Sequence, residues 1–70
     1  MSGYQEIRFY SPTIGAPVTR LSMADERGRE YFSTIPRNVS GKTYRDNKER
    51  ALNAIMDAMT GHEPGEVPWS

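Results

Sequence analysis

The absence of cysteine from a chain of only 70 residues is the feature that most constrains how this sequence can fold. A chain of this length buries only about 60% of the surface that its unfolded form exposes, so its hydrophobic core is thin. Without cysteine, neither a disulfide framework nor a thiolate metal site can supplement that core. The fold must therefore depend on a small core, on strong helix and turn signals and, where it occurs, on self-association.

The composition is that of an ordinary globular protein, with 36% hydrophobic and 26% charged residues. We expect one compact domain over residues 1–61 and a proline- and glycine-containing tail over residues 62–70. No apolar run approaches the roughly 20 residues that cross a bilayer, and the first residues do not resemble a secretory signal. The sequence thus predicts a cytoplasmic protein that does not contact membranes.

The first predicted strand covers residues 4–10, where apolar and polar side chains alternate. The alternation places Ile7 and Phe9 together on one face, which we assign to the core. The opposite face then carries Tyr4, Glu6, Arg8 and Tyr10.

An antiparallel hairpin is predicted over residues 18–35. Asp25 opens its turn, and Gly28 can adopt the left-handed backbone conformation that such hairpin loops need. With Gly28 at a bulge, Met23 lies opposite Tyr31, and the apolar sets of the two strands share one face.

A C-terminal helix is predicted over residues 44–60 from an apolar stripe with a 3.6-residue period. Thr43 is its expected N-cap and Gly61 its expected C-cap. The resulting fold class is α+β, in the order β-β-β-α, with the helix packed on one face of a small antiparallel sheet. The predicted core consists of Ile7, Phe9, Leu21, Met23, Tyr31, Ile35, Leu52, Ile55 and Met59.

The stretch PRNVSGKT over residues 36–43 ends like a nucleotide-binding P-loop. That motif needs a glycine where this chain has Pro36, and it needs a parallel sheet with crossover helices. We therefore expect no nucleotide hydrolysis. The free N–H groups of a helix N-terminus, together with nearby basic residues, still allow contact with an anion.

Catalytic and metal-binding patterns are not evident in the sequence. His62 is the single histidine, no cysteine is present, and no spacing forces two carboxylates into one cleft. A chain this small is also expected to lack a pocket of the usual size. The sequence predicts a protein that is not an enzyme and holds no cofactor or metal.

The outward face of the sheet is the predicted interaction surface, because aromatic and arginine side chains alternate there. These residue types dominate protein–protein interfaces, although strands also carry exposed tyrosines for no functional reason. Trp69 either docks on its own core or enters a partner's pocket. The predicted interface residues are Tyr4, Arg8, Tyr10, Arg20, Phe32 and Trp69.

Two binding functions follow from this surface. The first is a protein-binding module of the regulator or inhibitor type that contacts a protein partner, itself or both. The alternative is a nucleic-acid-binding module whose basic segment, residues 37–50, contacts phosphates while the aromatics stack on bases. The formal net charge of zero favours the first, since nucleic-acid binders are usually basic. The predicted anion or nucleic-acid contacts are Arg37, Lys42, Arg45 and Lys48.

Overall fold

A computed structural model describes residues 3–61 and 63–69 and shows the predicted α+β fold, with one helix packed on a small sheet. The sheet has the strand order β1-β2-β3-β4, in which the first three strands are antiparallel and β4 runs parallel to β3. The elements are β1 (Tyr4–Ser11), β2 (Ala16–Ala24), β3 (Glu30–Pro36), α1 (Gly41–Ala58) and β4 (Gly65–Glu66).

The β2–β3 hairpin confirms the predicted register, with Met23 opposite Tyr31. Gly28 has a φ of 80°, so the expected left-handed residue is also confirmed. Asp25 holds the turn, because its carboxylate accepts from the backbone N–H groups of Arg27 and Arg29, both at 2.9 Å. Local turn chemistry therefore fixes the register of the two central strands.

The prediction of which β1 side chains face the helix is wrong. Ile7 lies opposite Arg20 in the ladder, and directly opposed residues point to the same face of a sheet. Ile7 and Phe9 consequently lie on the face away from the helix, where they are 48% and 39% exposed. The physical reason is that α1 packs on β3 and β2 but, within the described residues, does not extend over β1. Burial under the helix was thus never available to β1.

The helix begins three residues earlier than predicted, and its N-cap is Ser40 rather than Thr43. The Ser40 hydroxyl accepts from the Thr43 N–H at 3.2 Å, satisfying one of the free donors of the first turn. At the other end the C-cap is Met59 in a right-handed conformation, so Gly61 does not serve as the left-handed cap. In the described part of the chain, no helix is long and apolar enough to cross a bilayer.

The core lies between α1 and the inner faces of β2 and β3. Four predicted members are fully buried there, namely Leu21, Tyr31, Ile35 and Ile55. Met23, Leu52 and Met59 pack against this cluster while partly exposed. The prediction omitted Ala51, Ala58 and Val67, which complete the cluster.

The described tail residues add to the sheet and to the core. Gly65 and Glu66 form β4 beside β3, and the Val67 side chain is buried. The Val67 carbonyl accepts from the Ser33 hydroxyl at 2.6 Å, while its N–H donates to the Phe32 carbonyl at 2.7 Å. His62 lies outside the described residues.

Candidate functional site

The sheet face opposite α1, which we call the open face, is uncovered by any element of the described chain. The strand register places side chains of β1, β2 and β3 side by side on it, and among them Val18 and Ser22 are buried. The members that we consider for binding are Ile7, Phe9, Arg20, Phe32 and Thr34. These side chains form a continuous surface that crosses three strands.

A stack of one cationic and one aromatic side chain lies at the centre of the open face. The Arg20 guanidinium carbon lies 4.1 Å from the centroid of the Phe32 ring, within the range of a cation–π contact. Arg20 Nη2 also donates to Glu30 Oε1 at 3.2 Å. The side chain of Arg20 is 38% exposed, contacts both Phe32 and Glu30, and has its charge paired with that of Glu30.

Ile7 and Phe9 supply the exposed apolar part of the open face, and sequence reasoning had assigned them to the core. Ile7 lies directly beside Arg20, and Phe9 lies beside the buried Val18. The sequence carried no signal for this outcome, because large side chains occupy both faces of the YQEIRFY strand. Periodicity groups Ile7 with Phe9 but does not tell which face the helix covers.

Three predicted interface residues lie apart from Arg20 and Phe32. Tyr4, Arg8 and Tyr10 share the face of β1 that is on the helix side of the sheet. Tyr4 and Tyr10 are nevertheless 44% and 63% exposed, because α1 does not extend over them. The structure thus divides the predicted surface between two faces of the sheet.

The helix side of β1 is organised around the Glu6 carboxylate. Glu6 Oε2 accepts from Tyr4 Oη at 2.8 Å and lies 2.9 Å from Lys48 Nζ. The hydrogen bond from Lys48, followed by that from Tyr4, lowers the pKa of Glu6. Partial burial and then the bond to Glu6 raise the pKa of Tyr4 to about 12. These contacts tie β1 to α1 through side chains.

Trp69 docks on its own chain, which is one of the two outcomes expected for it. Its indole Nε1 donates to the Thr34 carbonyl at 2.8 Å, and the ring packs against the core cluster. The side chain remains partly exposed at the β4 side of the sheet.

The four basic residues predicted to contact an anion do not form one cluster of free charges. Arg37 donates to the carbonyls of Val18 and Phe9 at 3.0 and 3.3 Å. Lys42 pairs with Asp46 at 3.3 Å, and Lys48 pairs with Glu6. Of the four, only Arg45 makes no ion pair or hydrogen bond to a described residue.

The concave parts of the surface are shallow. One groove of about 210 Å³ lies between α1 and the tail, and both apolar and acidic side chains line it. Its lining residues are Ala54, Asp57, Ala58, Glu63, Glu66, Val67 and Pro68. Across residues 3–61 and 63–69, no three potential metal-ligating side chains come together.

No protein-family model, no curated protein and no solved structure matches this chain. The open face and β1 are therefore the parts of the molecule from which a function can be inferred.

Proposed function

We propose that this chain is a non-enzymatic protein-binding module of the regulator or inhibitor class, and that it binds its partner through the open face. The observation that carries the proposal is the exposure of Ile7 and Phe9 beside the Arg20–Phe32 stack. Large apolar side chains beside an arginine are typical of the centre of a protein interface. A small domain gains nothing in its own stability by exposing them.

The stack itself favours a protein partner over a nucleic acid. A base-stacking platform needs aromatic faces that are open to an incoming base. On this sheet, the guanidinium of Arg20 covers the Phe32 ring, and Arg37 is bound to backbone carbonyls. Phe32 and Arg37 are therefore less available to a nucleic acid than their residue types suggested, which weakens the nucleic-acid alternative.

The partner is expected to present a flat and mainly apolar protein surface. The open face lies on a sheet, and the charge of Arg20 is already balanced by Glu30. A partner without a matching carboxylate would leave no charge unpaired, whereas an acidic partner would have to displace Glu30. Shape and apolar contact, rather than charge steering, should determine binding.

Photo-crosslinking in the cells that make the protein tests this proposal. Benzoylphenylalanine replaces Phe9 in one variant and Phe32 in another, so that an aromatic ring is kept at each position. We expect both variants to crosslink the same protein. Met56, which lies on the helix and is 49% exposed, gives a control position more exposed than Phe9. The Met56 variant should not crosslink that protein.

Purified protein then tests the contact directly. A Phe9→Ser variant should weaken binding to the crosslinked partner by roughly 10-fold, from the loss of buried apolar area at the interface. A Met56→Ser variant should leave binding unchanged. Crosslinks from Phe32 that join the chain only to itself, or to nothing, would refute binding of a partner protein at this face.

The nucleic-acid alternative is tested by titrating labelled DNA and RNA at low salt. It predicts an affinity that falls steeply with salt and that is lost in the Lys42→Ala/Arg45→Ala double variant. The alternative would be supported if binding depends on salt and is lost in the double variant. If, in addition, no protein is crosslinked from the open face, our proposal would be refuted.

A further inference from the structure

The two edges of the sheet differ in how they are protected. The β4 edge has only two paired residues, and Pro64 and Pro68 flank them. Proline and short length are ordinary means of protecting an edge against pairing with another chain. β1 forms the other edge with eight residues and contains neither proline nor glycine. It is the long, exposed edge of this molecule.

The backbone groups on the free side of β1 can be assigned from the ladder. The Ala24 N–H donates to the Gly3 carbonyl at 3.1 Å, so Gly3 and every second residue after it bond to β2. Pro17 agrees with this phase, because it lies opposite Tyr10 and has no N–H to donate. The residues that direct their N–H and C=O groups away from the sheet are therefore Tyr4, Glu6, Arg8 and Tyr10.

From this edge we infer that β1 pairs antiparallel with β1 of a second copy about a two-fold axis at Ile7, giving a dimer with one continuous sheet. The strand is self-complementary about that residue. Glu6 would lie opposite Arg8 of the second copy, and Tyr4 would lie opposite Tyr10. Opposite charges and aromatic pairs directly across a ladder are stabilising cross-strand partners. No partner of different sequence is needed to explain the pattern.

The side chains are available for this pairing. Arg8 makes no hydrogen bond or ion pair to any described residue. The bonds that Glu6 receives from Tyr4 and Lys48 both end on Oε2, which leaves Oε1 for Arg8 of the second copy. The 63% exposed Tyr10 gains an aromatic neighbour. Three exposed side chains of one strand, those of Tyr4, Arg8 and Tyr10, thereby gain a partner through a single contact.

The opposite face of the same strand supports the same axis. Ile7 would meet Ile7 of the second copy as a non-hydrogen-bonded pair, with Cα atoms about 4.5 Å apart. Its 48% exposed side chain would gain an apolar neighbour on one side, while its outer end would stay on the open face. Because each open face remains uncovered, the dimer would present two joined open faces to a partner. This dimer does not depend on the proposed function, and either can fail alone.

A single introduced thiol tests the axis, since the chain has no cysteine of its own. In Ile7→Cys, the two thiols lie within the Cα separation that a disulfide requires, below about 7 Å. Oxidised glutathione accepts the two electrons, and we expect most of the protein to run as a covalent dimer on non-reducing gels. Dilute protein and brief exposure limit crosslinking by random collision.

Phe9→Cys is the matched control, on the same face of the same strand. In the proposed register the two thiols of this variant would be separated by four residues along the ladder, about 13 Å. We expect at least a tenfold lower yield of covalent dimer. Equal yields from the two variants, or a higher yield from Phe9→Cys, would overturn the axis at Ile7.

Sedimentation of the unmodified chain tests the dimer independently of any thiol. The expected mass is about 16 kDa, twice the 7.9 kDa of one chain. The dimer would contain two Glu6–Arg8 pairs, one on each side of the axis. Arg8→Glu replaces both by pairs of like charge and should raise the dissociation constant of the dimer roughly 10- to 30-fold. Arg8→Lys keeps the charge and should stay dimeric. A folded wild-type chain that remains monomeric at high concentration, or an Arg8→Glu variant that dimerises like wild type, would refute the edge pairing.

Discussion

Glu6 joins β1 to the helix at the scale of single residues. Its side chain is only 24% exposed, and one oxygen accepts from both Tyr4 and Lys48. Because the pair is partly exposed to water, its contribution to the free energy of unfolding is limited to about 0.5 kcal/mol. The contribution is small, but this ion pair is a direct side-chain contact between the edge strand and α1.

The lowered pKa of Glu6 predicts a pH dependence of stability. A carboxyl group whose folded pKa lies below its ordinary value stabilises the fold above that value, 4.5 here, and this stabilisation is lost as the pH falls through the folded pKa. The free energy of unfolding in urea should therefore decrease between about pH 5 and pH 3 more in wild type than in Glu6→Gln, by roughly 0.5 kcal/mol. Identical pH profiles for the two proteins would show that the Lys48–Glu6 pair does not stabilise the fold in solution.

At the scale of elements, the beginning of α1 depends on which hydroxyl caps it. Ser40 and Thr43 are both acceptable N-cap residues by type. Ser40 has the extended backbone of a cap, with φ −62° and ψ 157°, whereas Thr43 lies inside the first turn. Lys42 and Asp46 then pair one helical turn apart on the exposed surface.

Replacing Ser40 by alanine should destabilise the protein by about 1 kcal/mol, since the first turn loses its side-chain acceptor. For a domain of this size, the expected decrease in Tm is about 4–8 °C in thermal unfolding followed by circular dichroism. Thr43→Ala is the matched control and should cost less. A larger loss in Thr43→Ala than in Ser40→Ala would mean that the cap lies at Thr43 after all.

At the scale of the whole molecule, the described tail residues pack against the domain and complete its core. Val67 is 8% exposed within the main cluster, and the buried Ser33 hydroxyl donates to its carbonyl. Trp69 closes the same side through its bond to the Thr34 carbonyl. A chain of 70 residues has little stability to spare, so these contacts are a large share of what it has.

A chain that ends at Glu63 should lose about 2 kcal/mol from the missing burial of Val67 alone, and more from the unpaired Ser33 hydroxyl. Its urea unfolding midpoint should fall markedly. Trp69→Phe, which keeps a ring and removes one hydrogen bond, should lose only about 1 kcal/mol. A truncated chain with the midpoint of the full chain would show that the tail contributes nothing to the core.

The sequence by itself determined the features that depend on neighbours along the chain. The α+β class, the β2–β3 register and the left-handed Gly28 are confirmed, because turn chemistry and short-range periodicity encode them. Arg20 and Phe32 were also placed correctly on the uncovered face, since they lie on those same two strands.

Only the tertiary structure decided the matters that depend on which surfaces meet. Alternation groups Ile7 with Phe9, but the position of α1 over β2 and β3 leaves both outside the core. A hydrophobic strand residue is buried only if another layer covers its face, and no local pattern states where that layer ends. The composition of the open face therefore depends on the tertiary structure. It includes Ile7 and Phe9, which the sequence pattern had assigned to the core.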